Sequence, residues 1–104
     1  MLKTLITGAA GHVGGVLVRR LLDEGRHVRV LTRNDRRAFD GLDIEEVNGD
    51  ICDRASLEQA MRGIDSVYHL ASLISLHRKE HNAIMATNVT GTINVADTAL
   101  KTGV

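Results

Sequence analysis

Apolar and polar residues follow two patterns along the chain. Short runs rich in apolar and β-branched residues predict four strands, at residues 4–7, 27–32, 44–47 and 66–72. Longer stretches in which apolar residues recur every three or four positions predict helices at residues 12–24, between Asp53 and Gly63, and at residues 79–102. Strands and helices therefore alternate along the sequence.

The helix boundaries carry residues suited to capping. Gly25 and Gly63 can end the first and second helices in the left-handed conformation. Asp53 can accept hydrogen bonds from the free N–H groups at the start of the second helix. The apolar positions expected to face the core are Val13, Val16, Leu17 and Leu21 in the first helix, Leu57, Ala60 and Met61 in the second, and Met85, Val89, Ile93, Ala96 and Leu100 in the third.

The short connections between consecutive strands permit only right-handed crossovers, so the sequence predicts a parallel sheet with helices on both faces. This is the α/β class with a Rossmann-type sheet, for which the expected strand order is 3-2-1-4. That order opens a crevice at the carboxyl end of the first strand. With 104 residues the chain is long enough for one such domain, over residues 1–104.

Three glycines follow the first strand at this crevice. The spacing of Gly8, Gly11 and Gly14 differs from the G-x-G-x-x-G fingerprint by one residue in the first interval. Gly8 permits a tight turn, Gly11 lets the backbone approach a pyrophosphate, and Gly14 lets the helix lie close to the strand. Free N–H groups at the helix start can hold the negative oxygens. The pattern predicts a dinucleotide site, the alternative being a turn that only packs the helix on the sheet.

The end of the second strand indicates which dinucleotide is bound. An acidic residue there would accept hydrogen bonds from the ribose, but this chain has Thr32 and Arg33, with Arg36 and Arg37 close behind. A guanidinium group can donate two parallel hydrogen bonds to a 2′-phosphate, which favours NADP(H) over NAD(H). In the alternative, Arg33 stacks on adenine or only faces solvent, and Asp35 reaches the ribose.

Charge and composition exclude several function classes. Thirteen basic and thirteen acidic residues cancel, so we expect no nucleic-acid partner and no anionic membrane surface as partner. No apolar run approaches the ~20 residues of a membrane span. Cys52 is the single cysteine and cannot form an internal disulfide. We therefore expect a cytoplasmic protein whose partner is a small molecule.

Four segments form an ordered set of motifs: "TGAAGHVG" at 7–14, "NGDICD" at 48–53, "VYHLAS" at 67–72 and "NVTGTINV" at 88–95. In this order and spacing they resemble the N-terminal half of the extended short-chain dehydrogenases/reductases, the NAD-dependent epimerase/dehydratase family. The arginine-bearing second strand and "LHRKEHNAIMATNVTGT" are most similar to bacterial members that resemble dihydroflavonol reductases and hopanoid-associated sugar epimerases. The resemblance covers essentially the whole chain.

The resemblance implies roles for individual residues. Asp50 and Ile51 would lie beside the adenine, with the Asp50 carboxylate accepting a hydrogen bond from the exocyclic amine. Residues 70–72 would line the ribose and pyrophosphate. Asn88 would lie near the cofactor and tie the long helix to the fourth strand, or would make only the latter contact. The complete set of candidate cofactor-binding residues is Thr7, Gly8, Ala10, Gly11, His12, Val13, Gly14, Arg33, Asp50, Ile51, Leu70, Ala71, Ser72 and Asn88.

The catalytic residues of the family have no match in this sequence. The family uses a Ser or Thr and a Tyr-x-x-x-Lys pair in which lysine lowers the tyrosine pKa. Tyr68 is the only tyrosine, and Ser72 stands four residues later instead of lysine. We expect an NAD(P)-binding half domain that ends before the fifth strand, lacks the catalytic and substrate portion and is inactive alone. The alternative is a non-catalytic NADP(H)-binding or sensing module that acts through a partner.

The segment "HRKEH" at 77–81 matches the H-x-x-E-H pattern of inverted zinc proteases. A zinc site needs a third protein ligand, and Asp97 is the only acidic residue that follows, with no histidine or cysteine. We therefore interpret the segment as a solvated helix start and assign no metal site.

The fourth strand is expected to lie at an open edge of the sheet, because no fifth strand is present in the sequence. Unpaired backbone groups on such an edge favour association with another chain. We therefore predict a homodimer that forms through this edge or through the long C-terminal helix.

Overall fold

A computed structural model describes residues 2–9, 12–32, 39, 41–70 and 84–104. The strands in these residues are β1 (Lys3–Thr7), β2 (His27–Thr32), β3 (Glu45–Asn48) and β4 (Ser66–His69). The helices are α1 (His12–Asp23), α2 (Arg54–Ala60) and α3 (Gly91–Thr102), the last preceded by a π-helical turn, Ala86–Thr90. All strand pairs are parallel, in the order β3-β2-β1-β4, which confirms the Rossmann-type sheet and its predicted strand order.

Two apolar cores lie on opposite faces of this sheet. Alternate side chains of a strand point to opposite faces, so Leu5 and Ile6 of β1 belong to different cores. The core around Ile6 contains Val18 and Leu21 of α1. The core around Leu5 is built with residues of α2 and α3, and includes Leu57, Ala60, Met61 and Val95. Helices therefore cover both faces of the sheet.

The predicted caps at Gly25 and Asp53 are confirmed, whereas α2 ends at Ala60 with Met61 as its C-cap, two residues before Gly63. Gly25 and Gly63 have φ values of 78° and 74°, in the left-handed region that glycine adopts without strain. The Asp53 side chain accepts hydrogen bonds from the Ala55 and Ser56 N–H groups at 3.1 and 3.5 Å. These contacts are local, and they agree closely with the sequence pattern.

The third strand lies one residue later than predicted, and the fourth ends at His69 instead of continuing to residue 72.

The predicted inner face of α1 is partly wrong. Val13 and Val16 are exposed, whereas Val18 is fully buried beside Leu21. The reason is Gly14, which must face the sheet because the backbone of α1 approaches the first turn there. Residues four and seven positions after it, Val18 and Leu21, share its face.

The predicted buried stripe of the long helix is also wrong. Gly91, Asn94, Val95 and Thr98 face the core. The residues expected there are exposed instead: Met85, Val89, Ile93, Ala96 and Leu100. Val95 joins the apolar core, and the rest of the buried face is small or polar because a Cβ at position 91 would overlap the Ile51 side chain and because the amide of Asn94 finds hydrogen-bond partners inside. The predicted helix start at residues 79–83 lies outside the described residues.

Candidate functional site

The turn after β1 has the close backbone packing that the glycine pattern predicts. Gly8 has a φ of 74°, which only glycine adopts readily. A Cβ added to Gly14 would overlap the Gly8 carbonyl oxygen and lie 2.7 Å from Ala9 Cα. The predicted conformational roles of Gly8 and Gly14 are therefore confirmed. The N-terminus of α1 lies directly against this turn.

A histidine joins the ends of two strands beside the turn. His69, the last residue of β4, has its Nδ1 atom 2.6 Å from the Thr7 hydroxyl and its Nε2 atom 3.1 Å from the Thr92 hydroxyl. The Thr92 hydroxyl donates to the Asn88 carbonyl oxygen at 2.6 Å. The ring thus connects the end of β1, the end of β4 and the first turn of α3.

The hydrogen bonds of His69 assign its protonation. Because the Thr92 hydroxyl donates to Asn88, it accepts from Nε2–H, and Nδ1 then accepts from the Thr7 hydroxyl. Partial burial lowers the pKa of His69 below its ordinary value of 6.5, which favours this neutral form. Both ring nitrogens are occupied, so His69 acts as a structural bridge and not as a free base.

The loop after β3 is held in a fixed conformation. The Asp50 N–H donates to Ser56 Oγ at 3.0 Å, and the Asp50 carboxylate accepts from the Cys52 N–H at 2.9 Å. The Ile51 side chain is buried in the core between α2 and α3, against Gly91. Asp50 is therefore oriented by its own loop, and Ile51 anchors that loop to the protein interior.

The carboxyl end of β2 lies next to this loop. Thr32 pairs in register with Asn48 of β3, and the Thr32 carbonyl oxygen accepts from the Gly49 N–H at 2.9 Å. The side chain of Thr32 is buried. Arg33, Asp35, Arg36 and Arg37 lie outside the described residues. Cofactor selection by Arg33 therefore stays a prediction.

The other candidate residues divide between described and undescribed parts of the chain. Leu70 lies just beyond β4, where its N–H donates to the Thr7 carbonyl oxygen at 3.0 Å. Val13 is exposed in the first turn of α1, and Asn88 is half-buried in the π-helical turn. His12 begins α1. The candidates outside the described residues are Ala10, Gly11, Arg33, Ala71 and Ser72.

The described residues contain no group of three or more His, Cys, Asp or Glu side chains placed to hold a metal ion. The "HRKEH" segment lies in the undescribed part of the chain. Cys52 is an exposed free cysteine. Within the described ranges, no helix is long and apolar enough to cross a membrane.

Sequence reasoning missed three residues that organise the site: Thr92, Asn94 and Arg54. Thr92 and Asn94 both lie in the "NVTGTINV" segment, but neither is apolar, so neither belongs to the apolar pattern that predicts a buried stripe. Their hydrogen-bond partners lie 23 to 43 residues away in sequence. No local pattern indicates such contacts.

Comparison with known proteins agrees with this geometry. The sequence model of the NAD dependent epimerase/dehydratase family matches residues 4–104. The chain belongs to this family. The family membership expected from the four motifs is therefore confirmed.

This epimerase/dehydratase family member is similar to proteins of different activities. It is 39% identical over 105 residues to sterol demethylase protein B of Methylococcus capsulatus, covering 99% of this chain and 32% of that protein. A short-chain dehydrogenase/reductase superfamily protein from Agrobacterium tumefaciens, solved with bound NAD, is 35% identical with a TM-score of 0.85; the match covers 98% of this chain and 30% of that one. The UDP-glucose-4-epimerase of Stenotrophomonas maltophila, solved with NAD and formylated UDP-arabinopyranose, is 26% identical with a TM-score of 0.91. That match covers 100% of this chain and 35% of the epimerase chain. The chain thus spans about a third of the length of these relatives.

Proposed function

We propose that the carboxyl edge of the sheet binds a nicotinamide dinucleotide. The observation that carries this proposal is the turn after β1, where Gly8 takes a positive φ and Gly14 leaves no room for a Cβ. Such a turn brings backbone N–H groups and the positive end of the α1 dipole close to a bound pyrophosphate. Two related structures, from Agrobacterium tumefaciens and Stenotrophomonas maltophila, were solved with NAD, which supports the proposal.

The strand order supports a separate set of residues for each half of the dinucleotide. The adenine half would lie toward β2 and β3, near Asp50, Ile51 and Arg33, because these strands are on one side of β1. The nicotinamide half would lie toward β4, where Leu70, Ala71 and Ser72 would line the ribose and pyrophosphate and Asn88 would lie near the cofactor. When bound, the dinucleotide would supply hydride to a carbonyl or take hydride from a sugar-like alcohol.

Residues 1–104 are proposed to serve as the cofactor-binding part of a cytoplasmic oxidoreductase or epimerase. The only tyrosine, Tyr68, lies in β4 and is not followed by the lysine of the catalytic pair. We expect cofactor binding without turnover from this chain alone. A non-catalytic binding or sensing module that acts through a partner would share the same cofactor site.

The proposed preference for NADP(H) is tested by calorimetric titration with NADPH and NADH. We expect NADPH to bind at least tenfold more tightly. Arg33→Ala should weaken NADPH binding by about 1.5–3 kcal/mol, the range for a hydrogen bond to a charged group, and should leave NADH binding nearly unchanged. Arg26→Ala is a matched control, because Arg26 precedes β2 at the opposite end of the sheet.

The outcomes of this titration separate the two parts of the proposal. Equal losses for both cofactors would show that Arg33 contacts adenine instead of a 2′-phosphate. A folded protein that binds neither cofactor would contradict the dinucleotide site itself.

We propose that two copies associate through α3. An apolar row runs from Val89 in the preceding π-helical turn along the outward face of α3, through Ile93 to Leu100, the last of which is 81% exposed. Burial of such a row contributes roughly 25 cal/mol for each Å² removed from water, which offsets the entropy that two chains lose on association. This row favours the helix over the edge of β4 as the contact surface.

We expect a dimer at tens of micromolar in light scattering, and a monomer for Ile93→Lys. Val16→Lys is a suitable control because Val16 is also an exposed apolar residue, on α1 and away from this face. A wild-type chain that stays monomeric at this concentration would contradict the proposed dimer.

A further inference from the structure

Asn94 is a buried polar side chain with both ends of its amide in use. It is 5% exposed and lies on the face of α3 that packs toward the core. Its Nδ2 atom donates to the Ile51 carbonyl oxygen at 3.0 Å, and its Oδ1 atom accepts from Arg54 Nε at 2.8 Å. One amide thus links α3 to the loop after β3 and to the first residue of α2.

Two neighbouring contacts reinforce this link. Gly91, one helical turn before Asn94, packs directly against the Ile51 side chain, with no space for a Cβ. Arg54 of α2 also forms an ion pair, at 2.9 Å, with Asp97, which lies on α3 like Asn94. Ile51 is therefore held to α3 through both its side chain and its carbonyl oxygen.

The loop held in this way contains Asp50. The Asp50 carboxylate accepts from Cys52 N–H and its carbonyl oxygen from Asp53 N–H, each at 2.9 Å. The orientation of that carboxylate depends on the backbone path through Ile51, the residue that Asn94 anchors. A shift of Ile51 would move the carboxylate and the loop amides together.

We infer that Asn94 is a positioning residue that sets how the Asp50–Ile51 segment recognises the adenine base. The inference rests on the proposed dinucleotide site. Asn94 acts through the Ile51 carbonyl oxygen and has no direct contact with the cofactor. Its removal should impair recognition of the adenine edge more than general binding of the dinucleotide.

The test compares each cofactor with its hypoxanthine analogue, in which an oxygen replaces the exocyclic amine and N1 carries a hydrogen. The cofactor pair is NADPH or NADH with its analogue, whichever dinucleotide binds the wild-type chain more tightly. We expect the wild-type chain to prefer adenine by about tenfold or more, the scale of a charged hydrogen bond. Asn94→Asp keeps the acceptor for Arg54 but places an oxygen against the Ile51 carbonyl, so the preference should fall to within about threefold.

Asp97→Asn is the control. It changes the outer partner of Arg54 and leaves the Asn94–Ile51 hydrogen bond in place, so the adenine preference should stay at the wild-type value. Asn94→Ser, which removes the amide without adding charge, replaces Asn94→Asp if that variant does not fold. Equal weakening for both ligands in the variant, with the preference retained, would show a purely structural role and overturn the inference.

The wild-type result separates the two proposals. Tight binding of both ligands with no adenine preference would overturn the role of Asn94 and leave the dinucleotide site standing. Binding of neither ligand to the folded chain would contradict the dinucleotide site.

Discussion

Gly14→Ala is expected to lower the free energy of unfolding by about 3 kcal/mol, the upper range for forcing a group into a packed site. The added Cβ would overlap the Gly8 carbonyl oxygen and lie 2.7 Å from Ala9 Cα. Both are backbone atoms, so a side-chain rotation cannot relieve the overlap, and α1 must move away from the sheet. Because that movement displaces the N-terminus of α1, affinity for the dinucleotide should also fall at least tenfold.

Gly15→Ala is a matched control in the same helix. A Cβ at position 15 would meet only Arg19 Nη1 at 3.4 Å and the Ala9 carbonyl oxygen at 3.9 Å. Alanine in place of a helical glycine should raise stability by about 0.5–1 kcal/mol. Urea denaturation and cofactor titration of the two variants provide the measurement. Equal stability of the variants would contradict the close packing of α1 on the turn.

Arg29→Leu should lower the free energy of unfolding by about 3 kcal/mol. Arg29 lies in β2 and is 8% exposed. Its Nη1 atom donates to the carbonyl oxygens of Ala60 and Arg62, each at 2.7 Å, which satisfies the C-terminal end of α2. Leucine would keep an apolar side chain in β2 but leave both carbonyl oxygens without this donor. The expected loss is measured by urea denaturation at pH 7.

Glu45 contributes less to this cluster than Arg29. It accepts from Arg29 Nη2 at 3.2 Å, and its other oxygen lies 3.1 Å from Nε at an angle outside hydrogen-bond geometry. Its side chain is 52% exposed, so Glu45→Gln should cost only about 0–1 kcal/mol. If Glu45→Gln lowered the free energy of unfolding as much as Arg29→Leu, the stabilisation by Arg29 would come from its ion pair with Glu45 and not from its hydrogen bonds to the end of α2.

The Arg29–Glu45 pair predicts that the stability of the folded chain decreases at acidic pH. The hydrogen bond from Arg29 is the main cause that holds the pKa of Glu45 below its ordinary value of 4.5. A carboxyl group with a lowered pKa in the folded state stabilises the protein above its unfolded pKa, and this contribution is lost as pH falls through the folded value. Stability of the wild-type chain should therefore fall below pH 4.5. Arg29→Leu should lack this part of the decrease.

The elements that the sequence predicted well are those specified by neighbouring residues. The Asp53 side chain caps α2 by accepting from N–H groups two and three positions later. Gly25 needs only a positive φ at the end of α1. The glycine turn is equally local, since Gly8 and Gly14 are six residues apart. A sequence pattern contains all the information that such contacts require.

The helix faces were predicted less well, and α3 shows why. Apolar periodicity selected the row containing Val89, Ile93 and Leu100, but this row is exposed. The buried row contains Gly91 and Asn94, which are small or polar and carry no apolar signal. Apolar periodicity shows that a helix has two faces. It does not show which face packs on the sheet when the buried face needs small residues for close packing.

The sequence by itself determined the alternation of strands and helices, the parallel order of the sheet, the capped helix ends and the glycine turn at the carboxyl end of β1. These features depend on conformational preferences within a few residues and on the handedness of short crossovers. Only the tertiary structure decided that α3 buries the face with Gly91 and Asn94, that Asn94 holds Ile51, and that His69 joins Thr7 to Thr92. These contacts link residues 23 to 62 positions apart, and their geometry exists only once the sheet and helices have packed.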